Sequence, residues 1–349
     1  MTSIDIRAVA LHLIEEDLAS RDKAEQAITG FAESTDTFTK TRSYKVLSRR
    51  VVLPPVSRRE LERSLHVVVE LAENASINYV GVPLTDWDPA TVAEALQEYP
   101  KLFLSVEYAP GQDQKIVGVL RQISGKSYLL ATHFAVSFGP RLQTPYFPAT
   151  QSVKRGVTMS LLYVEEFRRE APSDQLVAEL LELQKQAEES FDNFTGIDLS
   201  LSPWMDRSVA SLIEEVSGVT FTLPGTVAAI RELNARLETL TSHVRATGFN
   251  EVMLPLAEDN RLKELARTGQ LRFSHLLNYT TYCVAGLDMV VIPETSEDAV
   301  LLGTLRDLWS VHQLKRKSIG LRLILAPADE GEEIDLGMFG KTPVISPLL

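Results

Sequence analysis

Nine short runs of apolar and β-branched residues recur along the chain, and most are apolar throughout instead of alternating in polarity. They are IRAVALHL (6–13), YKVLSRRVVL (44–53), INYVGVPL (77–84), LFLSVEY (102–108), HFAVSF (133–138), GIDLSL (196–201), EVMLPL (251–256), GLDMVVIP (286–293) and LRLILAP (321–327). An uninterrupted apolar run of that length reads as a strand buried on both faces, the pattern of a parallel sheet or a β/α barrel. Such strands need helices to cover them and to carry the chain back between parallel neighbours.

Segments of helical period lie between most of the runs, and several open with start signals. Ser57 and Glu60 are spaced as a capping box ahead of LERSLHVVVELAENA. Asp88 followed by Pro89 reads as a cap with proline at the first helical position, and Ser173 caps DQLVAELLELQKQAEESF. Thr295 with Asp298 reads as a looser box ahead of AVLLGTLRDLWSVHQL. Leu176, Leu180, Leu181 and Leu183, and likewise Val300, Leu301, Leu305, Leu308 and Trp309, are spaced as helix stripes facing a core. The expectation is an α/β protein with no internal repeat or low-complexity linker, its length suiting either one domain or two.

Composition narrows the function classes. The 349 residues are 44% hydrophobic and 23% charged, as in globular proteins, and the formal net charge is −12. That charge opposes binding to a phosphate backbone, so no nucleic-acid partner is expected. Arg42, Lys45, Arg49, Arg50, Arg58 and Arg59 come closest to a basic patch and read as a solvated face or a contact for a small anion. No apolar run reaches membrane-spanning length, and the acidic N-terminal residues do not resemble an export signal. With a single cysteine, Cys283, a cytoplasmic location is expected.

Candidate chemistry collects where strands end, because ligands of α/β proteins bind in the loops there. Four acidic positions follow or terminate strands: Asp198, Glu258, Asp259 and Asp288. Asp198, Glu258 and Asp259 are candidate ligands for a divalent cation, which prefers oxygen donors; carboxylates so placed also serve as general acid and base. Against this, Glu258 and Asp259 also suit the start of the helix NRLKELART. Asp198 and Asp288 each interrupt an apolar strand, and a buried carboxylate requires a partner, whether structural or functional. Cys283 precedes a probable loop-to-strand junction and reads either as a thiol nucleophile or as a small buried hydrophobe. Gly225 and Thr226, at the start of a long helix, offer free amides to an anion, or Thr226 is simply a cap. Tyr146 and Phe147, between prolines, suit a pocket wall or a core plug. No Walker loop, dinucleotide fingerprint or serine-hydrolase elbow is present.

GIDLSLSP, LPGTVAA, MLPLAEDN and YCVAGLD, in that order, make the chain resemble the uncharacterised family known as domain of unknown function 711. IRAVAL at the start, Arg50 in the second strand and Tyr146-Phe147-Pro148-Ala149 extend the resemblance over most of the chain. It implies a large β/α barrel of about ten strands, similar to the pyruvate formate-lyase barrel, as one domain over residues 1–349. It also marks Asp198, Ser200, Pro203, Gly225, Thr226, Pro255, Glu258, Asp259, Cys283, Gly286 and Asp288 as recurring positions whose role is not established. The chain departs from the family near Cys283, where YCVAGLDMVVIPETS stands in place of a segment close to VCGTGLDTVPLPGD. Radical chemistry is not expected: DLGMFGKTPVISPLL lacks a glycyl-radical motif and no second cysteine flanks Cys283. These readings lead to a non-radical enzyme acting on a small polar or anionic metabolite. Asp198, Cys283 and Asp288 would be catalytic, and Arg50, Tyr146, Phe147, Ser200, Gly225, Thr226 and Gly286 would bind the ligand. The alternative is a non-catalytic metabolite-binding or assembly protein; a homo-oligomer suits both.

Overall fold

Uninterrupted apolar strands joined by amphipathic helices do produce a β/α succession. In a computed structural model that describes residues 4–42, 44–170 and 173–348, the first five strands lie side by side and parallel. They are β1 (Asp5–His12), β2 (Arg49–Val52), β3 (Tyr79–Leu84), β4 (Leu102–Glu107) and β5 (Phe134–Phe138). Helices α1 (Arg21–Arg42), α2 (Arg58–Asn74), α3 (Pro89–Glu98) and α4 (Asp113–Lys126) connect them. The capping box of Ser57 and Glu60 forms as its spacing requires, Asp88 accepts the Thr91 amide ahead of Pro89, and Ser173 accepts the amide of Leu176.

The direction then reverses. Strand β6 (Gly156–Leu162) runs antiparallel to β1 and carries β7 (Phe194–Asp198) parallel to itself, with α5 (Val164–Glu170) and α6 (Asp174–Ser190) between them. Past α7 (Val209–Ser217) and α8 (Thr226–Thr241), β8 (Met253–Pro255) pairs in parallel with β9 (Ala285–Asp288) across α9 (Asn260–Arg267) and α10 (Phe273–Tyr279). Strand β10 (Val290–Pro293) follows, then α11 (Asp298–Lys315), β11 (Ile319–Leu321) and β12 (Leu323–Ala326); a hairpin of β13 (Glu333–Asp335) and β14 (Lys341–Pro343) comes last.

The central sheet has eight strands in the order β11-β5-β4-β3-β2-β1-β6-β7, while β10–β12 and β8–β9 are separate pairs. Backbone hydrogen bonds reach the β8–β9 pair from both edges of that sheet: Met253 N donates to Leu201 O (2.9 Å), Gly320 N to Val284 O (3.3 Å) and Arg322 N to Leu287 O (3.2 Å). Among the described residues no helix is long and apolar enough to cross a membrane.

Several elements differ from the sequence expectation. The run 286–293 is two strands, because Met289 between them adopts a left-handed backbone (φ 55°). Strand β6 was not foreseen, since Thr158 and Ser160 break up its apolar pattern, although both are buried. Helix α11 has Glu297 at its N-cap with no side-chain bond, so Thr295 is not its cap; Arg121 instead gathers the carbonyls of Glu294 and Ser296 and the Asp298 carboxylate. Leu181 is exposed, whereas Leu176, Leu180 and Leu183 are buried as expected.

The loop between β5 and β6 positions the site. It turns back across the sheet face formed by Ala10, Val52, Tyr79 and Phe103, where Phe147 packs into the same apolar cluster. Gly81 makes room for it: a Cβ there would lie 2.8 Å from Phe147 Cζ. The loop is held by Thr150, whose hydroxyl donates to the Thr144 carbonyl (2.6 Å), and by Thr144, whose hydroxyl donates to Asp198 (2.6 Å).

Candidate functional site

A cavity of about 370 Å³ opens where the loop tip meets the sheet. Its wall takes residues from the amino-terminal ends of β1–β5 (Arg7, Arg50, Tyr79, Phe103) and from the carboxyl-terminal ends of β8 and β9 (Pro255, Asp288), since the two groups of strands run in opposite directions. Tyr146 and Phe147, at the loop tip, also line it.

Charge in the cavity is concentrated on three arginines and two carboxylates. Arg7 is ion-paired with Glu258, donates to the Pro203 carbonyl (2.7 Å) and lies over the Trp204 ring (5.3 Å). Arg322 holds Asp288 through two parallel bonds and reaches Glu258 Oε1 (2.9 Å). Burial pushes the Glu258 carboxyl up, but the two guanidiniums outweigh it and hold the group below its ordinary range.

Arg50 is different. Its Nε donates to Ser48 Oγ (3.0 Å) and its Nη1 to the Pro145 carbonyl (2.8 Å), with the Phe147 ring 5.0 Å and the Tyr79 ring 5.7 Å away. Among the described residues no carboxylate is ion-paired with it. Burial, with the repulsion of Arg7, pulls its pKa down to about 10. Others of the basic group are on the surface in ion pairs, Arg42 with Glu189, Arg49 with Asp36 and Arg58 with Asp88, so that group is mostly a solvated face and Arg50 is its exception. His133 is stacked on Phe103 (4.1 Å between centroids), with Nδ1 3.1 Å from the Leu102 carbonyl, and burial lowers its pKa to about 4, leaving a neutral ring.

Of the residues singled out from sequence, Arg50, Tyr146, Phe147, Pro148, Ala149, Pro255, Glu258 and Asp288 meet at this cavity. The others lie elsewhere. Asp198 is fully buried and accepts from Thr144 Oγ1, Ser200 N, Ser200 Oγ, Phe249 N and Asn250 N, so both oxygens are occupied by the loop and strand they hold. Burial raises its pKa against the pull of those donors. Ser200 is committed to that cluster.

Asp259 caps two helices: it accepts from Arg261 N and Leu262 N at α9, and from Val209 N, Ala210 N and the Ser208 hydroxyl at α7. Asp198, Glu258 and Asp259 therefore have separate partners and do not gather around a cation; among the described residues no three His, Cys, Asp or Glu side chains are arranged for one. The Thr226 hydroxyl donates to Leu223 O and accepts from Thr222 N, and Gly225 gives α8 its left-handed start (φ 116°); neither lines the cavity. Gly286 is a packing position, where a Cβ would strike the Leu276 carbonyl and the Thr280 amide. Cys283 is wholly buried away from the cavity, and burial pushes its thiol up to about 12.

Arg7, Arg322 and Trp204 were missed. For the two arginines the signal was present: each is a charge inside an apolar run, IRAVAL and LRLIL, and demands a partner as Asp288 does.

Sheet and cavity define an α/β protein with a charged and aromatic cavity beside its central sheet. The sequence model of the family described as Uncharacterised ACR (DUF711) matches residues 147–337, and the chain belongs to that family. The segment contributes Phe147, Trp204, Glu258, Asp288 and Arg322 to the cavity, while Arg7 and Arg50 come from outside it. Curated relatives include a UPF0210 protein of Lacticaseibacillus casei (strain BL23), 30% identical over 159 residues, which are 44% of this chain and 34% of that protein. A UPF0210 protein of Lactococcus lactis subsp. cremoris (strain MG1363) is 31% identical over 157 residues, 44% of this chain and 35% of that protein. The alignments thus span about a third of these relatives' own length.

Proposed function

We propose that the protein binds a small anionic metabolite in this cavity, with the anion on Arg50. The observation that carries the reading is the charge state of the wall: a guanidinium set among aromatic rings, with no carboxylate partner among the described residues, is unfavourable until an anion joins it. A volume of about 370 Å³ is within the range of roughly 300–1,000 Å³ usual for small-molecule sites.

The proposed setting is a cytoplasmic protein whose eight-stranded sheet and β8–β9 pair form one ring of ten strands, similar to the pyruvate formate-lyase barrel. Support comes from the backbone bonds that reach β8 from Leu201 and β9 from Gly320 and Arg322. In that setting the loop carrying Tyr146 and Phe147 is the finger inside the ring, and its tip bears no thiol. Any conversion of the ligand there would be non-radical. It would rely on the neutral His133 imidazole and on Glu258 and Asp288 as fixed charges, while Asp198 and Cys283 would support the structure.

The test is thermal unfolding of the wild type and of Arg50→Met with a panel of small carboxylates, phosphate and sulfate, followed by mass analysis of the recovered ligand. The expected result is stabilisation by at least one anion in the wild type and its loss in the variant. Equal stabilisation of both proteins, or of neither, would overturn the reading. A chemically altered ligand would add catalysis; an unaltered one would favour the metabolite-binding alternative.

A further inference from the structure

Charge and shape in the cavity narrow the ligand further, on the reading that Arg50 receives an anion. Arg7, Arg50 and Arg322 face Glu258 and Asp288, so three positive charges against two negative leave one positive charge. His133 is neutral and adds none. A ligand with one negative charge balances the wall, whereas a dianion such as a phosphate ester brings a second charge into an enclosed aromatic site where nothing pairs with it. Arg50 has used its Nε–H and one Nη1–H on Ser48 and Pro145, which leaves the second Nη1–H and both Nη2–H for an acidic group.

The rest of the wall is mainly apolar and rich in aromatic rings, with the hydroxyls of Ser48, Thr132 and Ser202 among them. Tyr79 and Phe103 are edge-to-face (5.0 Å, 70°), Phe103 and Phe147 likewise (5.6 Å, 61°), beside Arg50; Trp204 and Phe339 form another such pair (6.0 Å, 70°). Between them come Ala135, Met253, Val284 and Ala285. Rings meeting edge to face offer both faces and edges to a further planar ring, and the Ser48, Thr132 and Tyr146 hydroxyls in the wall already donate to the carbonyls of Arg7, Leu129 and Ser200.

We propose that the cavity is specific for an aromatic monocarboxylate, with the carboxylate on Arg50 and the ring among Tyr79, Phe103, Phe147 and Trp204.

Calorimetric titration of the full chain tests this with benzoate and phenylacetate against acetate, cyclohexanecarboxylate and phenyl phosphate. Benzoate or phenylacetate should bind at least about tenfold more tightly than acetate, which lacks the apolar body. Either should also bind more tightly than cyclohexanecarboxylate, which is not planar, and phenyl phosphate, which carries the second charge. Arg50→Met should lose the binding, and Phe103→Leu should weaken the aromatic acids by a larger factor than acetate. If phenyl phosphate, cyclohexanecarboxylate or acetate binds as well as benzoate, and through Arg50, the aromatic assignment falls while the anion-site reading stands. Should none of the five bind while sulfate or another anion does so through Arg50, the result is the same. No Arg50-dependent anion at all would overturn both. Circular dichroism of each variant, with Arg50→Lys as a charge-retaining control that should keep part of the affinity, separates misfolding from loss of the site.

Discussion

Arg7, near the start of the chain, and Glu258 form a buried ion pair across 251 positions of sequence, and Glu258 is shared with Arg322. The carboxylate thus ties the first strand to the last part of the sheet while it helps to build the cavity wall. Removing its charge leaves two guanidiniums underpaired.

Glu258→Gln should therefore lower unfolding stability by about 3–5 kcal/mol, the usual consequence of breaking a buried pair from one side. Chemical denaturation measures it, and a loss below about 1 kcal/mol would show that the pair is dispensable.

Acid dependence follows from the same pair. Because the folded-state pKa of Glu258 is held below its ordinary value of 4.5, its contribution is complete above that value and is lost as pH falls through the folded-state pKa. The stability difference between wild type and Glu258→Gln should therefore shrink on acidification below about 4.5. A difference that grows there would contradict the lowered pKa.

Asp198 holds the loop through Thr144, whose hydroxyl in turn accepts the Tyr146 amide (3.2 Å). Asp198→Asn places an amide donor against groups that all donate, and should cost about 1–3 kcal/mol, with Thr144→Val costing less. If Asp198→Asn instead abolished anion binding with an unchanged melting temperature, the carboxylate would have to act on the ligand directly.

Cys283 is expected to be inert in the folded protein. With a buried thiol pushed up to about 12, it should resist a disulfide reagent at pH 8 and react in full once denaturant is added. Rapid labelling of the native chain would restore it as a candidate nucleophile.

Gly81→Ala should displace the Phe147 ring, since the new Cβ would lie 2.8 Å from Cζ. The expected loss is about 1–3 kcal/mol of stability together with weaker anion binding. Binding unchanged in this variant would remove Phe147 from the proposed ligand contact.

Much of this architecture was legible before any coordinates. Apolar runs such as 6–13 and 102–108, and start signals such as Ser57 with Glu60, depend only on neighbours a few residues apart, and they became β1, β4 and the capped α2. Where a distant partner decides, the sequence misled. Asp198, Asp259 and Glu258 are the same kind of signal, an acid at a strand end, yet one is filled by loop donors, one caps two helices and one faces the cavity. Burial cannot be read from a residue type, and neither can the donor that meets a carboxylate from 50 or more positions away.

The sequence by itself determined the β/α succession, the caps at Ser57, Asp88 and Ser173, the family, and the presence of Arg50, Tyr146 and Phe147 among the candidates. Tertiary structure alone decided that strands of opposite direction would bring Arg7 and Arg50 to the same end as Glu258, Asp288 and Arg322, and that three guanidiniums would share only two carboxylates there. The physical reason is range: helix and strand preferences act through neighbouring bonds, whereas the balance of charge in a pocket is a sum over groups that folding alone brings together.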